Sequence, residues 1–205
     1  MLQSLESLLS AHYHYVKVPI SVSQRHVHLT QEAIDVLFGS GYALTKKNDL
    51  SQPGQYSCEE TVQIVTPSAS IHCRVVGPPR CYTQIELSKT DAFALGLNLP
   101  LRVSGDIAAS GSGTLRGPQG TYTLREGIIV ARRHIHLSLL EATQFGLSNG
   151  DTVSFAAKTR RGYHILGNVI VRSGDDHRLD VHLDTDDANA LGIYRRGKGY
   201  LLLER

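Results

Sequence analysis

Ten histidines stand in this chain beside a single Met and no Trp, and imidazole is the commonest protein metal ligand and the side chain most readily tuned near neutral pH. Six of them stand in His-x-His spacing, and two of those three pairs, His26/His28 and His134/His136 but not His12/His14, lie inside the string Arg-His-x-His-Leu. Residues i and i+2 of a strand point the same way with Cα atoms about 6–7 Å apart, so one such pair can offer two ring nitrogens to one metal ion. A lone pair on an apolar strand is more often buried and merely hydrogen-bonded. Here the pair occurs twice: residues 20–30 (ISVSQRHVHLT) and 128–138 (IIVARRHIHLS) align at a single offset of 108, with six of eleven positions identical.

A second matched pair, IELSKTDAFALGL at 85–97 and VHLDTDDANALGI at 181–193, aligns at an offset of 96 and sets Glu86 opposite His182. The duplication therefore supplies two three-residue sets. His26, His28 and Glu86 belong to the first half, and His134, His136 and His182 to the second. Three protein ligands leave one coordination position open, which is the pattern of catalytic rather than structural zinc. Nitrogen and oxygen donors without thiolate suit zinc, with cobalt, nickel or manganese as other divalent choices. Arg80 lies six residues ahead of Glu86 and shares its parity. It reads either as a fork for phosphate or carboxylate in the same pocket or as a surface arginine at a strand start. His12, His14, His72, His164 and His177 have no repeat partner and read as structural or surface residues.

The elements that must carry these side chains are legible in outline. Val16, Val18, Ile20 and Val22 share parity with Gln24, His26 and His28, and Ile128 and Val130 with Arg132, His134 and His136. The histidines are accordingly expected to prolong the inward face of a strand. After each pair a hydroxyl residue opens a helix, Thr30 with Glu32 and Ser138 with Glu141 in capping-box spacing, and left-handed glycines are expected to end these helices at Gly39 and Gly146. Turn clusters at 46–55 and 159–162 separate many short alternating runs. The fold class is mainly β: two small β-barrel domains related by internal duplication, with short helices. The expected organisation is an N-terminal amphipathic helix in 1–15 (Leu2, Leu5, Leu8, Leu9), a first repeat half at 16–105, a Gly/Ser-rich connection at 106–127 and a second half at 128–205.

Composition narrows the partners. In 205 residues, 41% hydrophobic and 20% charged, no apolar run reaches the roughly 18 residues of a membrane span. The 21 basic and 19 acidic residues are intermixed to a net charge of +2, without the basic block that tracks nucleic acid. Cys58, Cys73 and Cys81 form no C-x-x-C pair and follow no secretory segment, so reduced thiols and a cytoplasmic location are expected.

The stretches VPISVSQRHVHLT, LSQPGQYSCEETVQIV, GPPR, ELSKTDAFALG, SGDI, EGIIVARRHIHLS and VHLDTDDANALG, running from about residue 16 to 193, resemble the propanediol-utilisation type of phosphate propanoyltransferase. The resemblance implies the reaction acyl-CoA plus phosphate to acyl phosphate plus CoA, with propanoyl-CoA or acetyl-CoA as substrate. It implies two β-barrels with a dinuclear zinc site where they meet, His26, His28 and Glu86 on one Zn²⁺ and His134, His136 and His182 on the other, and Arg80 on the phosphate. It further implies barrels that exchange their leading strands, with borders near 25 and 132, a homodimer, and residence in a bacterial microcompartment among its shell or core enzymes. In such proteins the N-terminal helix can be a targeting peptide, whereas docking on the enzyme's own core is the reading favoured here. Gln24, Lys89 and Arg125 depart from the family's usual residues without touching a proposed ligand. Two other classes share the same six residues: a dinuclear zinc hydrolase of thioesters or phosphate esters, which needs no phosphate, and a non-catalytic barrel module stapled by metal.

Overall fold

The computed structural model describes residues 5–10 and 13–203, apart from the side chains of residues 5, 6 and 8. Leu2 and His12 therefore lie outside the described residues, as do the side chains of Leu5 and Leu8. The first stretch of chain runs α1 (Leu5–Ser10), β1 (His14–Val22), β2 (His26–His28), α2 (Gln31–Phe38), β3 (Lys46–Asp49), β4 (Tyr56–Val65), β5 (Ser70–Gly77), β6 (Gln84–Leu87), α3 (Lys89–Ala94), β7 (Leu101–Arg102) and β8 (Gly111–Arg116). It continues through β9 (Thr121–Ala131), β10 (His134–Leu137), α4 (Leu139–Phe145), β11 (Thr152–Thr159), β12 (Gly162–Ser173), β13 (Asp180–Leu183), α5 (Thr185–Leu191) and β14 (Arg196–Leu203).

Two compact units result, one of residues 24–132 and one built from residues 1–23 together with 133–205. Each closes a six-stranded barrel. In the 24–132 unit the ring runs β9, β6, β2, β5, β4, β8, with β8 pairing back onto β9, while β3 and β7 add at β4 and β9. In the other unit it runs β1, β13, β10, β12, β11, β14, with β14 pairing back onto β1. The two rings place repeat-equivalent strands in the same order. Each also takes its leading strand from across the repeat: β1, ahead of the first Arg-His-x-His-Leu, lies in the barrel of second-half strands, and β9 in the barrel of first-half strands.

Both interiors are apolar. Val27, Leu29, Val62, Ile64, Ile85, Leu87, Leu115 and Ile128 fill one, and Val18, Ile20, Ile135, Leu137, Phe155, Val169, Val181 and Leu183 the other. Leu9 of α1 is buried against Ala156 and Leu202. No helix among the described residues is long and apolar enough to cross a membrane. All three cysteines are free thiols, Cys58 and Cys73 buried and Cys81 exposed.

Three expectations change. The histidines do not prolong an inward face, because β1 ends at Val22 and β2 begins anew at His26 in the other barrel, so parity does not carry across. Val27 and Leu29 fill the core instead, and the histidines take the opposite face of the strand. The stretch 106–127 is not a connection: residues 111–116 form β8, which pairs with both β4 and β9. Its glycines admit close packing, since a Cβ on Gly113 would stand 2.8 Å from Ile128 Cδ1. Gly146 is left-handed at φ 65, ψ 30, whereas Gly39 ends α2 at φ 114, ψ 151, outside the left-handed helical well.

Candidate functional site

Every strand that carries a candidate ligand is short and runs straight into a capped helix, which limits how far its side chains can drift. After β2, Thr30 Oγ1 accepts from the Ala33 N–H at 3.1 Å; after β6, Ser88 Oγ accepts from the Asp91 N–H at 3.1 Å. After β10, Ser138 and Glu141 complete a capping box, and after β13, Asp184 Oδ1 accepts from the Asp187 N–H at 2.8 Å. These caps satisfy the first helical N–H groups where each strand must stop.

Antiparallel register then sets these candidate ligands face to face. In the 24–132 unit, β2 and β6 pair His26 with Glu86 and His28 with Gln84. In the other unit, β10 and β13 pair His134 with His182 and His136 with Asp180. The gathered ligand atoms of His26, His28 and Glu86 lie within 4.8 Å of one another, and so do those of His134, His136 and His182; these two groups contain all six residues singled out from the sequence.

Hydrogen bonds prepare the first group for a cation. His26 Nδ1 lies 2.9 Å from the Gln24 carbonyl and His28 Nδ1 lies 3.2 Å from the Val76 carbonyl. A carbonyl oxygen only accepts, so both Nδ1 atoms carry a proton and Nε2 is the ring atom that each histidine has left to offer an ion. His26 Nε2 stands 3.6 Å from Glu86 Oε2. Burial, followed by the charges of His26 and Arg80, holds His28 well below the ordinary imidazole value of 6.5, against the opposing pull of Glu86. Glu86 is buried and takes a 2.6 Å hydrogen bond from Gln84 Nε2, which also donates to Ser104 Oγ. Gln84 Oε1 accepts from the Gly105 N–H, so the amide is engaged at both ends.

In the second group the three rings pack on one another, with centroids 4.7–5.0 Å apart. Burial, with smaller contributions from His134, His182, His177 and Arg172, drives His136 far below the usual imidazole range. Both ring nitrogens of His136 are buried with no hydrogen-bond partner. An uncharged, desolvated imidazole without a partner is costly unless a cation takes its lone pair. The donor chemistry and the burial of both groups thus fit a bound divalent ion.

Arg80 follows β5, its N–H donating to the Leu29 carbonyl at 2.8 Å, and its charge reaches His28. Sequence reasoning passed over Gln84 and Asp180, although the offset of 96 makes them repeat-equivalent and two residues ahead of each downstream ligand. His177, read from the sequence as a structural or surface residue, lies against the second group. That ring stacks on His136 at 4.4 Å and 17°, with Nδ1 donating to the Arg172 carbonyl, and no repeat signal marks it. His72 meets Gln63 on the surface and His14 is exposed.

A family model described as Phosphate propanoyltransferase matches residues 19–194, a span that includes both groups and Arg80. The chain is 49% identical over 187 residues to a protein of Priestia megaterium named phosphate propanoyltransferase, covering 91% of this chain and 86% of that one. It is 44% identical over 177 residues to one from Shewanella putrefaciens (86% and 83% covered) and 43% over 172 residues to one from Thermotoga maritima (83% and 82%), both bearing the same name. With the match running through both Arg-His-x-His-Leu strings and both downstream strands, β6 and β13, this chain belongs to the phosphate propanoyltransferase family.

Proposed function

We propose that the protein is a phosphate acyltransferase, interconverting acyl-CoA plus phosphate and acyl phosphate plus CoA, with propanoyl-CoA or acetyl-CoA as substrate and two divalent ions, zinc by donor type, one in each triad. The observation that carries this reading is the pair of gathered, repeat-equivalent ligand sets in a chain of that family. Such an ion, when bound with an open position, supplies Lewis acidity toward acyl, thiolate or phosphate atoms.

The chain's own residues do the rest. His28 and His136, held neutral by burial, keep their ring lone pairs available across the neutral range. Arg80 binds and orients phosphate through its planar fork, so that a phosphate oxygen is presented to the thioester carbonyl carbon. Cys58 is pushed up to about 11 and Cys73 higher still, chiefly by burial, so neither of these two offers a thiolate nucleophile. In this reading phosphate is the nucleophile: its oxygen forms the new bond to the acyl carbon as the carbon–sulfur bond breaks and CoA departs. The docking of Leu9 on Ala156 and Leu202 supports a helix that stays on its own barrel rather than a free targeting segment.

The test is release of free thiol from propanoyl-CoA by zinc-loaded protein, with and without inorganic phosphate, repeated after chelation. Release that needs both phosphate and metal is expected. Release without phosphate replaces the transferase by a hydrolase, and no release at full metal loading leaves a metal-stapled module.

A further inference from the structure

The register places four polar side chains, not three, on one face of each strand pair. In the first pair the corners are His26 opposite Glu86 and His28 opposite Gln84; in the second they are His134 opposite His182 and His136 opposite Asp180. The two corner sets differ in where the single carboxylate sits. In the first it is Glu86, a member of the gathered ligand group, and the remaining corner is the neutral amide of Gln84. In the second, all three members of the gathered group are imidazoles, and the carboxylate has moved to the remaining corner as Asp180.

Asp180 is 2% exposed, and its Oδ2 lies 3.1 Å from His182 Nε2. A carboxylate accepts, so His182 Nε2 carries a proton and Nδ1 is the ring atom left to offer an ion, the reverse of the arrangement that the Gln24 and Val76 carbonyls impose on His26 and His28. We propose that Asp180 is the positioning carboxylate of the second triad: it holds His182 in the Nε2–H tautomer and brings to that site the one negative charge that Glu86 brings directly to the first. This rests on the metal reading above. A divalent ion in either triad then meets one carboxylate, as a ligand in the first and one hydrogen bond behind an imidazole in the second, which raises the basicity of that imidazole. The two sites are chemically inequivalent although they arise from a duplication.

The experiment is competitive zinc titration of the full chain against a chromophoric chelator, for wild type, Asp180→Asn, Asp180→Glu and His134→Ala, with thermal melting of each apo protein. The wild type is expected to bind two ions and His134→Ala one at wild-type affinity. Asp180→Asn is expected to keep one ion at wild-type affinity and to bind the other about 10–100-fold more weakly, with Asp180→Glu recovering most of the loss. The imidazole N–H proton resonance of His182, shifted downfield by its carboxylate partner, is expected to be lost in Asp180→Asn and retained in Asp180→Glu. Two ions bound by Asp180→Asn as tightly as by wild type overturns the inference and leaves the metal reading standing. Equal weakening of both ions, with the same fall in melting temperature in Asp180→Asn and Asp180→Glu, makes Asp180 a general support of the barrel and also overturns it. A wild type that binds no ion overturns the metal reading itself.

Discussion

Arg133 grips Asp187 with both prongs of its guanidinium, Nε to Oδ2 at 2.8 Å and Nη2 to Oδ1 at 2.9 Å. Arg133 immediately precedes the candidate ligand His134, and Asp187 sits in the first turn of α5, just after the strand that carries His182. The pair therefore ties one ligand strand to the helix that follows the other. Its repeat equivalent is Arg25 with Asp91, Nε to Oδ1 at 3.3 Å, and the arginine of each Arg-His-x-His-Leu string thereby acquires a mechanical role.

Loosening this tie is expected to cost little stability but to disturb the ligands. Both side chains are partly solvated, so Asp187→Ala is expected to lower stability by about 1 kcal/mol, a fall of about 2–4 °C in Tm for a chain of this size. Weaker uptake of one of two zinc ions in the same variant is the accompanying result; an unchanged Tm with unchanged uptake removes the pair from the argument.

Removing a buried imidazole from a triad is expected to delete its metal. His136→Ala is expected to bind one ion instead of two by elemental analysis and to lower kcat/KM at least about 100-fold, the scale of losing several kcal/mol of charge stabilisation. Because His136 makes no hydrogen bond from its ring, the apo form of the variant is expected to be no less stable than apo wild type at pH 6, apart from the cavity left by the ring.

Arg80→Ala is expected to raise the phosphate KM and to lower kcat, leaving the acyl-CoA KM nearly unchanged. Arg80→Lys restores the charge without the fork and is expected to recover only part of the loss. Phosphate kinetics identical to wild type in Arg80→Ala takes this residue out of the site.

The apo protein is expected to lose stability as pH falls. His28 and His136 both titrate far below 6.5 in the folded state, so from about pH 6.5 downward the unfolded chain binds protons that the folded chain refuses. Stability then drops by up to about 1.4 kcal/mol per pH unit for each histidine, and above pH 7 this dependence vanishes. Denaturant melts of chelated protein between pH 7.5 and 5 measure it; a flat profile contradicts the buried, neutral state of both rings.

Gly127→Ala tests the strand that carries the chain toward the second Arg-His-x-His-Leu. Gly127 has φ 127, and a Cβ there would stand 2.7 Å from the Thr83 carbonyl oxygen, one residue before β6. Backbone strain and backbone overlap together are expected to cost about 2–4 kcal/mol, read as a lowered urea midpoint, with the first triad losing metal affinity because β9 pairs with β6.

The chain alone determined the class of fold and which six residues are the candidate ligands. His26, His28, His134 and His136 are legible because a strand repeats its side-chain direction every two residues, and Glu86 and His182 because the duplication preserves spacing. Thr30, Ser88, Ser138 and Asp184 announce their helices because capping is a local interaction within three residues. What lies between residues distant in sequence needed the folded chain. The exchange of β1 and β9 between barrels, which turns the histidines away from the face expected of them, depends on strand pairings that no local pattern encodes. The same holds for β8, whose glycines resemble a linker until Ile128 is seen to occupy the space that a side chain would fill. Asp180 and Gln84 look alike as polar residues two positions ahead of a ligand. Their side-chain types are written in the sequence, but only tertiary register sets one against His136 and the other against His28, beside the two gathered groups.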